Sequence, residues 1–138
     1  MTVRPRLTNL RVSDARVGSS AMTDVLGAGV TVFAAGPVEG AWRMLQSPDD
    51  VLTLMDTGAE GVIAGVQDAG ATFLAPIFDE LTAVVCMSGT PSSHIGIVSR
   101  EYHVPCIMAT TFTGDLPVDG TAVVVDCTAD AGVVRTAS

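Results

Sequence analysis

The sequence predicts a compact α/β domain, a sandwich or barrel of short strands joined by two or three helices. Three observations point to this class. Short runs rich in valine, isoleucine and alanine recur between clusters of Gly, Pro, Asp and Ser, the pattern of buried strands with turn punctuation. Few stretches show helical spacing or a helix-start signal. Apolar residues make up 48% of the 138 residues and charged residues 16%, enough to bury one core without disulfide staples and too apolar for a disordered chain. No repeat, linker or second apolar unit is evident, so one domain is expected.

Taken in order, residues 1–20 are polar and hold four of the seven arginines (Arg4, Arg6, Arg11 and Arg16). They are expected to form an arm, loosely ordered or docked on a partner, ahead of a domain over 21–138. Gly29–Ala35 (GVTVFAA) is predicted as a strand, with a Gly36-Pro37 turn into a second strand over Val38–Leu45. Ser47-Pro48-Asp49-Asp50 is a helix start, with a capping serine, proline at the first helical position and acids in the first turn. That helix is expected to reach about Met55 and to stop near Gly58. Gly61–Val66 and Thr82–Cys86 are buried strands, separated by a short helix or structured loop over 72–80 that Pro76 interrupts. A Ser/Gly/Thr/Pro loop over Ser88–Ser93 leads to a predicted helix, His94–His103, and a strand, Val104–Met108. Val118-Asp119-Gly120 turns the chain into a strand over Thr121–Asp126, and Gly132–Arg135 closes it.

Charge and composition exclude several classes of function. With 7 basic against 15 acidic residues the net charge is −8, a poor basis for nucleic-acid binding, which needs a basic face. Every cation is an arginine, so Schiff-base chemistry and a P-loop lysine are ruled out. No apolar run approaches the ~18 residues of a membrane span, and the N-terminal residues have no apolar signal core, so a cytoplasmic protein off the membrane is expected. Cys86, Cys106 and Cys127 sit in or beside apolar runs and are read as buried reduced thiols. Their spacing from the two histidines lacks a metal-ligand pattern, so no metal site is expected. Asp79-Glu80 is read as a solvated acidic surface, and Trp42 and Tyr102 as packing aromatics.

The segment with chemical content is Cys86–Thr110, CMSGTPSSHIGIVSREYHVPCIMAT. A buried strand enters a loop of small residues, and the loop presents His94 at the start of a helix. The first turn of a helix has unsatisfied N–H groups and the positive end of the dipole, so it can hold an anion. Hydroxyls at Thr90, Ser92 and Ser93 add donors, and a phosphoryl group on His94 would sit over them. The same pattern also describes ordinary capping, with Ser92 or Ser93 as the N-cap and His94 as a first-turn residue. On residue types alone, capping is the commoner arrangement.

This segment resembles the phosphohistidine (mobile, or swivelling) domain of the phosphoenolpyruvate-utilising enzymes, such as phosphoenolpyruvate synthase, pyruvate phosphate dikinase and enzyme I of the sugar phosphotransferase system. Their signature reads Gly-Gly, any residue, Thr/Ser, Ser/Cys, His, then Ala-Arg-Glu and a later Ile-Pro-Ala/Cys-Val. Gly89, Ser92, Ser93 and His94 fall into its register, as do Ile97, Val98, Arg100, Glu101, Val104, Pro105, Cys106 and Ile107. Gly114–Gly120, Val123–Asp126 and Gly132–Val134 are similar to the family's closing strands, and Gly61–Val66 to an upstream one. The resemblance covers about residues 27–135. The sequence departs from the pattern at Thr90, which replaces the second glycine, at Met87, where an acid is frequent, and at Ala109, where a glycine follows the strand. His103 also stands at a family glycine position, and as a residue at the helix end it is read as interacting with the dipole.

The resemblance implies a β/β/α domain that carries phosphate on His94, with Gly89, Thr90, Ser92 and Ser93 around the phosphoryl group. Arg100 lies nearly two turns along the helix and is expected to be structural, paired with Glu101 or a C-terminal strand. No cofactor is expected on this chain. ATP and Mg2+ are expected on an ATP-grasp partner subunit that loads His94, and an acceptor-site subunit is expected to take the group onward. The alternative implied by Met87 and Thr90 is a degenerate scaffold or regulatory subunit of the same fold.

Overall fold

The structure is a computed structural model and describes residues 25–137. The expected arm over 1–20, and the domain's start at residue 21, lie outside the described residues. Seven strands and three helical segments follow one another: β1 (Val25–Phe33), β2 (Ala35–Met44), α1 (Pro48–Thr57), β3 (Val62–Val66), a 3-10 helix (Ala75–Glu80), β4 (Ala83–Cys86), α2 (His94–Tyr102), β5 (Cys106–Phe112), β6 (Ala122–Cys127) and β7 (Ala131–Thr136). The strands close into a barrel in the order β1-β5-β4-β3-β2-β6-β7, with β7 returning to β1. β2, β3, β4 and β5 run parallel as neighbours, and the crossovers between them carry α1, the 3-10 helix and α2 in turn. The other pairings are antiparallel. The expected α/β class is therefore realised as a barrel.

Burial explains why the parallel strands read as unbroken apolar runs. In β3 and β4 every residue is buried, because each strand has a packed face on both sides. Val62, Ala64, Val66, Val84, Cys86, Cys106 and Met108 face the helices, with Leu54, Leu74, Phe78 and Ile95. Ile63, Ala83, Val85 and Ile107 fill the barrel interior with Trp42, Val123, Val125, Cys127 and Val134. Trp42 is fully buried and meets Phe112 edge-on at 5.7 Å. Among the described residues no helix is long and apolar enough to cross a membrane.

Three local expectations are corrected. Gly36-Pro37 makes no turn: Ala34 alone separates β1 from β2, and both residues lie within β2. The pairing of β2 with β6 slips between Ala35 and Val38, so the missing proline N–H falls at an irregularity where the ladder does not need it. Ser47 is extended and placed as an N-cap, but its hydroxyl makes no cap bond. Asp50 reaches back instead, accepting the Gln46 N–H at 2.8 Å. Gly58 closes the helix as expected, at φ 99°, with its N–H on Leu54 O at 2.7 Å.

The third correction concerns β5, which continues past Met108 to Phe112 through a bulge. Ala28 pairs with Thr111 and Val30 with Met108, so Gly29 alone opposes Ala109 and Thr110. The bulge places Ala109 at φ 52°, and a Cβ on Gly29 would collide with Met108 O. An L-residue in the left-handed region costs about 1 kcal/mol relative to glycine. Ala109→Gly is thus expected to raise the unfolding free energy by about 1 kcal/mol, and Gly29→Ala to lower it by ~2 kcal/mol or more. Urea denaturation of both variants checks the pair.

The three cysteines are free and buried. Burial pushes the Cys106 thiol up from 9.0 to about 12 and the Cys127 thiol to about 11. Folding therefore holds protons that the unfolded chain releases above about pH 9, so stability falls as pH rises from there toward the folded values. Between about pH 8 and about pH 10 the unfolding free energy is expected to drop by ~2–3 kcal/mol, and by roughly half as much in Cys127→Val. Urea titrations at the two pH values measure this directly.

Candidate functional site

The loop after β4 is held by main-chain bonds and by the hydroxyls of Ser88, Thr90 and Ser93 bonding main-chain groups. Met87 N–H extends the ladder to Val66 O at 2.9 Å. The Ser88 hydroxyl donates to Gln67 O at 2.6 Å and accepts the Ala69 N–H at 3.2 Å, tying the β4 loop to the β3 loop. Gly89 follows at φ 84°, where a Cβ would collide with the Ala69 methyl and lie 2.8 Å from Ser93 Oγ. Thr90 and Ser93 then close a turn. Ser93 N–H donates to Thr90 O at 2.8 Å, and Thr90 N–H donates to Ser93 Oγ at 3.0 Å. Thr90 Oγ1 accepts the Ser92 N–H at 3.3 Å.

This turn changes the reading of the helix start. Ser93 occupies the N-cap with extended dihedrals, yet its hydroxyl makes no cap bond to α2 and faces Thr90 instead. Of the first-turn amides, Ile95 N–H is bound by Ala69 O at 3.0 Å, and Ile97 N–H by Ser93 O. Those of His94 and Gly96 meet no protein acceptor among the described residues. The expected anion-binding set is therefore divided, with two of the four amides bound and two left over, that of exposed His94 and that of buried Gly96. His94, Ser92, Thr90 and Gly89 are exposed, and Ser93 is half-buried. All five expected site residues thus lie in one continuous loop and helix head. The hydroxyl protons of Thr90 and Ser93 remain for a ligand, since both oxygens act as acceptors within the turn.

Arg100 is structural, as expected, but its partner is different. Its Nη1 donates to Pro91 O at 2.9 Å and holds the loop against α2. Gly96 makes this possible, because a Cβ there would stand 2.5 Å from the same Pro91 oxygen. Gly96, Ser88 and Ala69 were not among the residues expected to build the site. A glycine inside a predicted helix, which costs about 1 kcal/mol relative to alanine, was the available signal for the first.

The described arginines are each engaged within the fold. Arg43 pairs with Asp119 at 3.9 Å, Arg135 with Asp126 at 2.9 Å, and Arg100 is held by Pro91. His103 sits at the far end of α2, at φ 57°, with its ring stacked on Phe33 at 5.3 Å. Its left-handed conformation accounts for the glycine that the resemblance expects there. Thr90 needs no such freedom: within the loop, positive φ falls at Gly89. Met87 is half-buried against the barrel interior. Asp79 and Glu80 are exposed at the end of the 3-10 helix. Among the described residues no three His, Cys, Asp or Glu side chains gather as metal ligands. His94 also walls one end of a cleft of about 140 Å³ between the 3-10 helix and α2.

The site thus stands at the carboxyl ends of the parallel strands, with an exposed histidine at the helix head. The chain belongs to the family of PEP-utilising enzyme mobile domains, whose model matches residues 58–130, more than half of the chain. Membership points to a phosphoryl-carrier domain. No curated protein matches the chain. Among solved structures, a UPF0107 protein determined by solution NMR is similar at 10% identity and a TM-score of 0.49, with 80% of this chain and 96% of that one covered. An uncharacterised protein from Pseudomonas syringae pv. tomato str. DC3000 is similar at 12% identity and a TM-score of 0.44, covering 76% of this chain and 61% of its own.

Gly89→Ala is expected to destabilise the domain by ~2 kcal/mol, through the collision with Ala69 and the positive φ. Denaturation measures the loss. Arg100→Gln is expected to change global stability by less than ~1 kcal/mol, because the bond is exposed. Its amide hydrogen exchange is expected to be faster over Gly89–Ser93 and unchanged in β3 and β4.

Proposed function

We propose that this domain carries a phosphoryl group on His94 within a split phosphotransferase of the PEP-utilising type. An ATP-grasp partner subunit loads the histidine, the domain swivels, and the group passes to a small acceptor. The observation that carries this reading is the exposed imidazole beside two unspent amides, at the position the family signature gives to histidine. The imidazole nitrogen attacks the γ-phosphorus in line: an N–P bond forms, the O–P bond to the nucleotide breaks, and ADP leaves with the electron pair. The His94 and Gly96 amides and the Thr90, Ser92 and Ser93 hydroxyls then face the phosphoryl oxygens. Such transfer depends on positioning and charge stabilisation, which a loop fixed by hydroxyl, guanidinium and main-chain bonds supplies.

ATP and Mg2+ belong to the partner in this reading. The chain has no lysine and no glycine-rich nucleotide loop, and its described residues gather no carboxylate set for a metal. The three buried free thiols fit a reducing, cytoplasmic setting. The degenerate-scaffold reading draws on Met87 and Thr90, but Thr90 occupies ordinary backbone and leaves the loop geometry intact.

Labelling tests the reading. The chain is incubated with γ-labelled ATP and a candidate ATP-grasp partner, and separately with phosphoramidate, which needs no partner. The expected product is an acid-labile, base-stable label that disappears in His94→Ala and survives in His103→Ala. A label that persists in His94→Ala, or an unmodified His94 in the presence of phosphoramidate, would overturn the assignment.

A further inference from the structure

The helical segments pack on the parallel half of the barrel, and among the described residues no helix covers the outer face of β6, β7 and the first half of β1. An antiparallel sheet with one face in water normally alternates apolar-in with polar-out. β6 and β7 break that rule. Val123, Val125 and Val134 fill the barrel interior, while Val124 and Val133 lie on the alternate, outward positions and are half-buried. β1 adds Val25 and Val30, both exposed, with Ala28 between them. Strand pairing joins these positions into one wall: Val25 and Val124 flank Arg135, Ala28 and Asp126 flank Val133, and Val30 stands beside Ala131.

The charge of this wall sets it apart from the rest of the surface. Arg135 and Asp126 pair at 2.9 Å in its middle, and Glu39 and Arg43 lie along its β2 edge, Arg43 with Asp119 at 3.9 Å. Thirteen acids and three arginines stand among the described residues. The wall and its ion pairs hold three of those acids and two of the arginines, which leaves ten acids against Arg100 alone elsewhere. A basic partner would find its complement on that acidic remainder. A second copy of the chain, itself at −8, approaches without acids facing acids only at the near-neutral wall. Four strands about 4.8 Å apart and about six residues long span roughly 19 by 20 Å. That footprint is small beside the ~800 Å² per partner of a standard interface, so the association is reversible.

We propose that this wall is a self-association face, at which two copies of the chain pair back to back about a two-fold axis. Such a contact is isologous: the valines of one copy meet the same valines of the other, around the two Arg135–Asp126 pairs. His94 heads α2, whose Ile95 packs in the helix-side core, so pairing through the wall leaves both imidazoles accessible. The proposal goes beyond the carrier reading and does not depend on it.

The test uses the full chain. Sedimentation equilibrium from about 5 µM to about 1 mM is expected to show the average mass rising from 14.1 kDa toward twice that value. Raising sodium chloride from about 0.02 M to about 0.5 M is expected to tighten the association at least threefold, because salt screens the repulsion of two acidic bodies. Val30→Glu and Ala131→Glu, both at exposed positions, are expected to weaken it at least tenfold, and Leu52→Glu, exposed on α1, to leave it unchanged. Amide shifts on dilution are expected over β1, β6 and β7 and not over α1 or α2, a readout that needs no variant. A chain that stays at monomer mass at the highest concentration and salt, association that weakens as salt rises, or dilution shifts centred on α1 or α2 would overturn the proposal. Loading of His94 by phosphoramidate is expected to be equal in Val30→Glu and the unchanged chain, so failure of the carrier reading and failure of this face are read separately.

Discussion

The close approach of two backbone segments, Ala69 after β3 and Gly89 after β4, is the constraint on which the site depends. The barrel makes β3 and β4 parallel neighbours, with Val66 opposite Cys86, so their carboxyl ends emerge side by side. Gly89 can pass Ala69 only without a side chain. Ser88 bonds the two loops together, and Ala69 O takes the Ile95 amide. That last bond orients α2: by consuming one first-turn donor inwards, it leaves the His94 and Gly96 amides for a ligand. Arg100 and Gly96 then seat Pro91 on the helix. The imidazole is therefore positioned by a loop whose main chain is tied down by the Ser88, Ser93 and Arg100 side chains as well as by main-chain bonds.

The same construction sets how firmly an anion is held. The arginines among the described residues are engaged within the fold, by Asp119, Asp126 and, in the site loop, the Pro91 carbonyl. A helix N-terminus contributes ~0.3–1 kcal/mol, up to about 2 in favourable geometry. Charge-assisted hydrogen bonds add about 1.5–3 kcal/mol each. Those magnitudes orient a phosphoryl group without burying it in a fixed ion pair, which suits a group that must leave again. A partner that brings cations would strengthen the hold only while docked.

Much of this was legible in residue patterns where local chemistry and tertiary packing agree. The runs Val62–Val66 and Ala83–Cys86 are apolar throughout because both faces are packed, and Gly58 ends α1 at the positive φ that glycine permits. His94 and its loop were evident because strand, small-residue turn and helix follow in immediate succession. The errors fall where a distant partner decides. Gly36-Pro37 is a turn signal in isolation, but pairing with β6 draws it into a strand. Ala109 looks like the end of a strand until β1 supplies Gly29 opposite it and turns the position into a bulge. Ser47 and Ser93 are both placed to cap and neither hydroxyl does so; that of Ser93 is taken by the Thr90 N–H instead. The Ala69–Ile95 bond spans residues too far apart in the chain for any local pattern to announce it.

The most direct test of the account is an amide 1H–15N spectrum of the chain before and after phosphorylation of His94. The account predicts large downfield shifts for the His94 and Gly96 amides as they bond to the phosphoryl oxygens, while Ile95, committed to Ala69, scarcely moves. A phosphorylated His94 with both amides unshifted, or with Ile95 released from Ala69, would contradict the claim that this backbone arrangement is what holds the group.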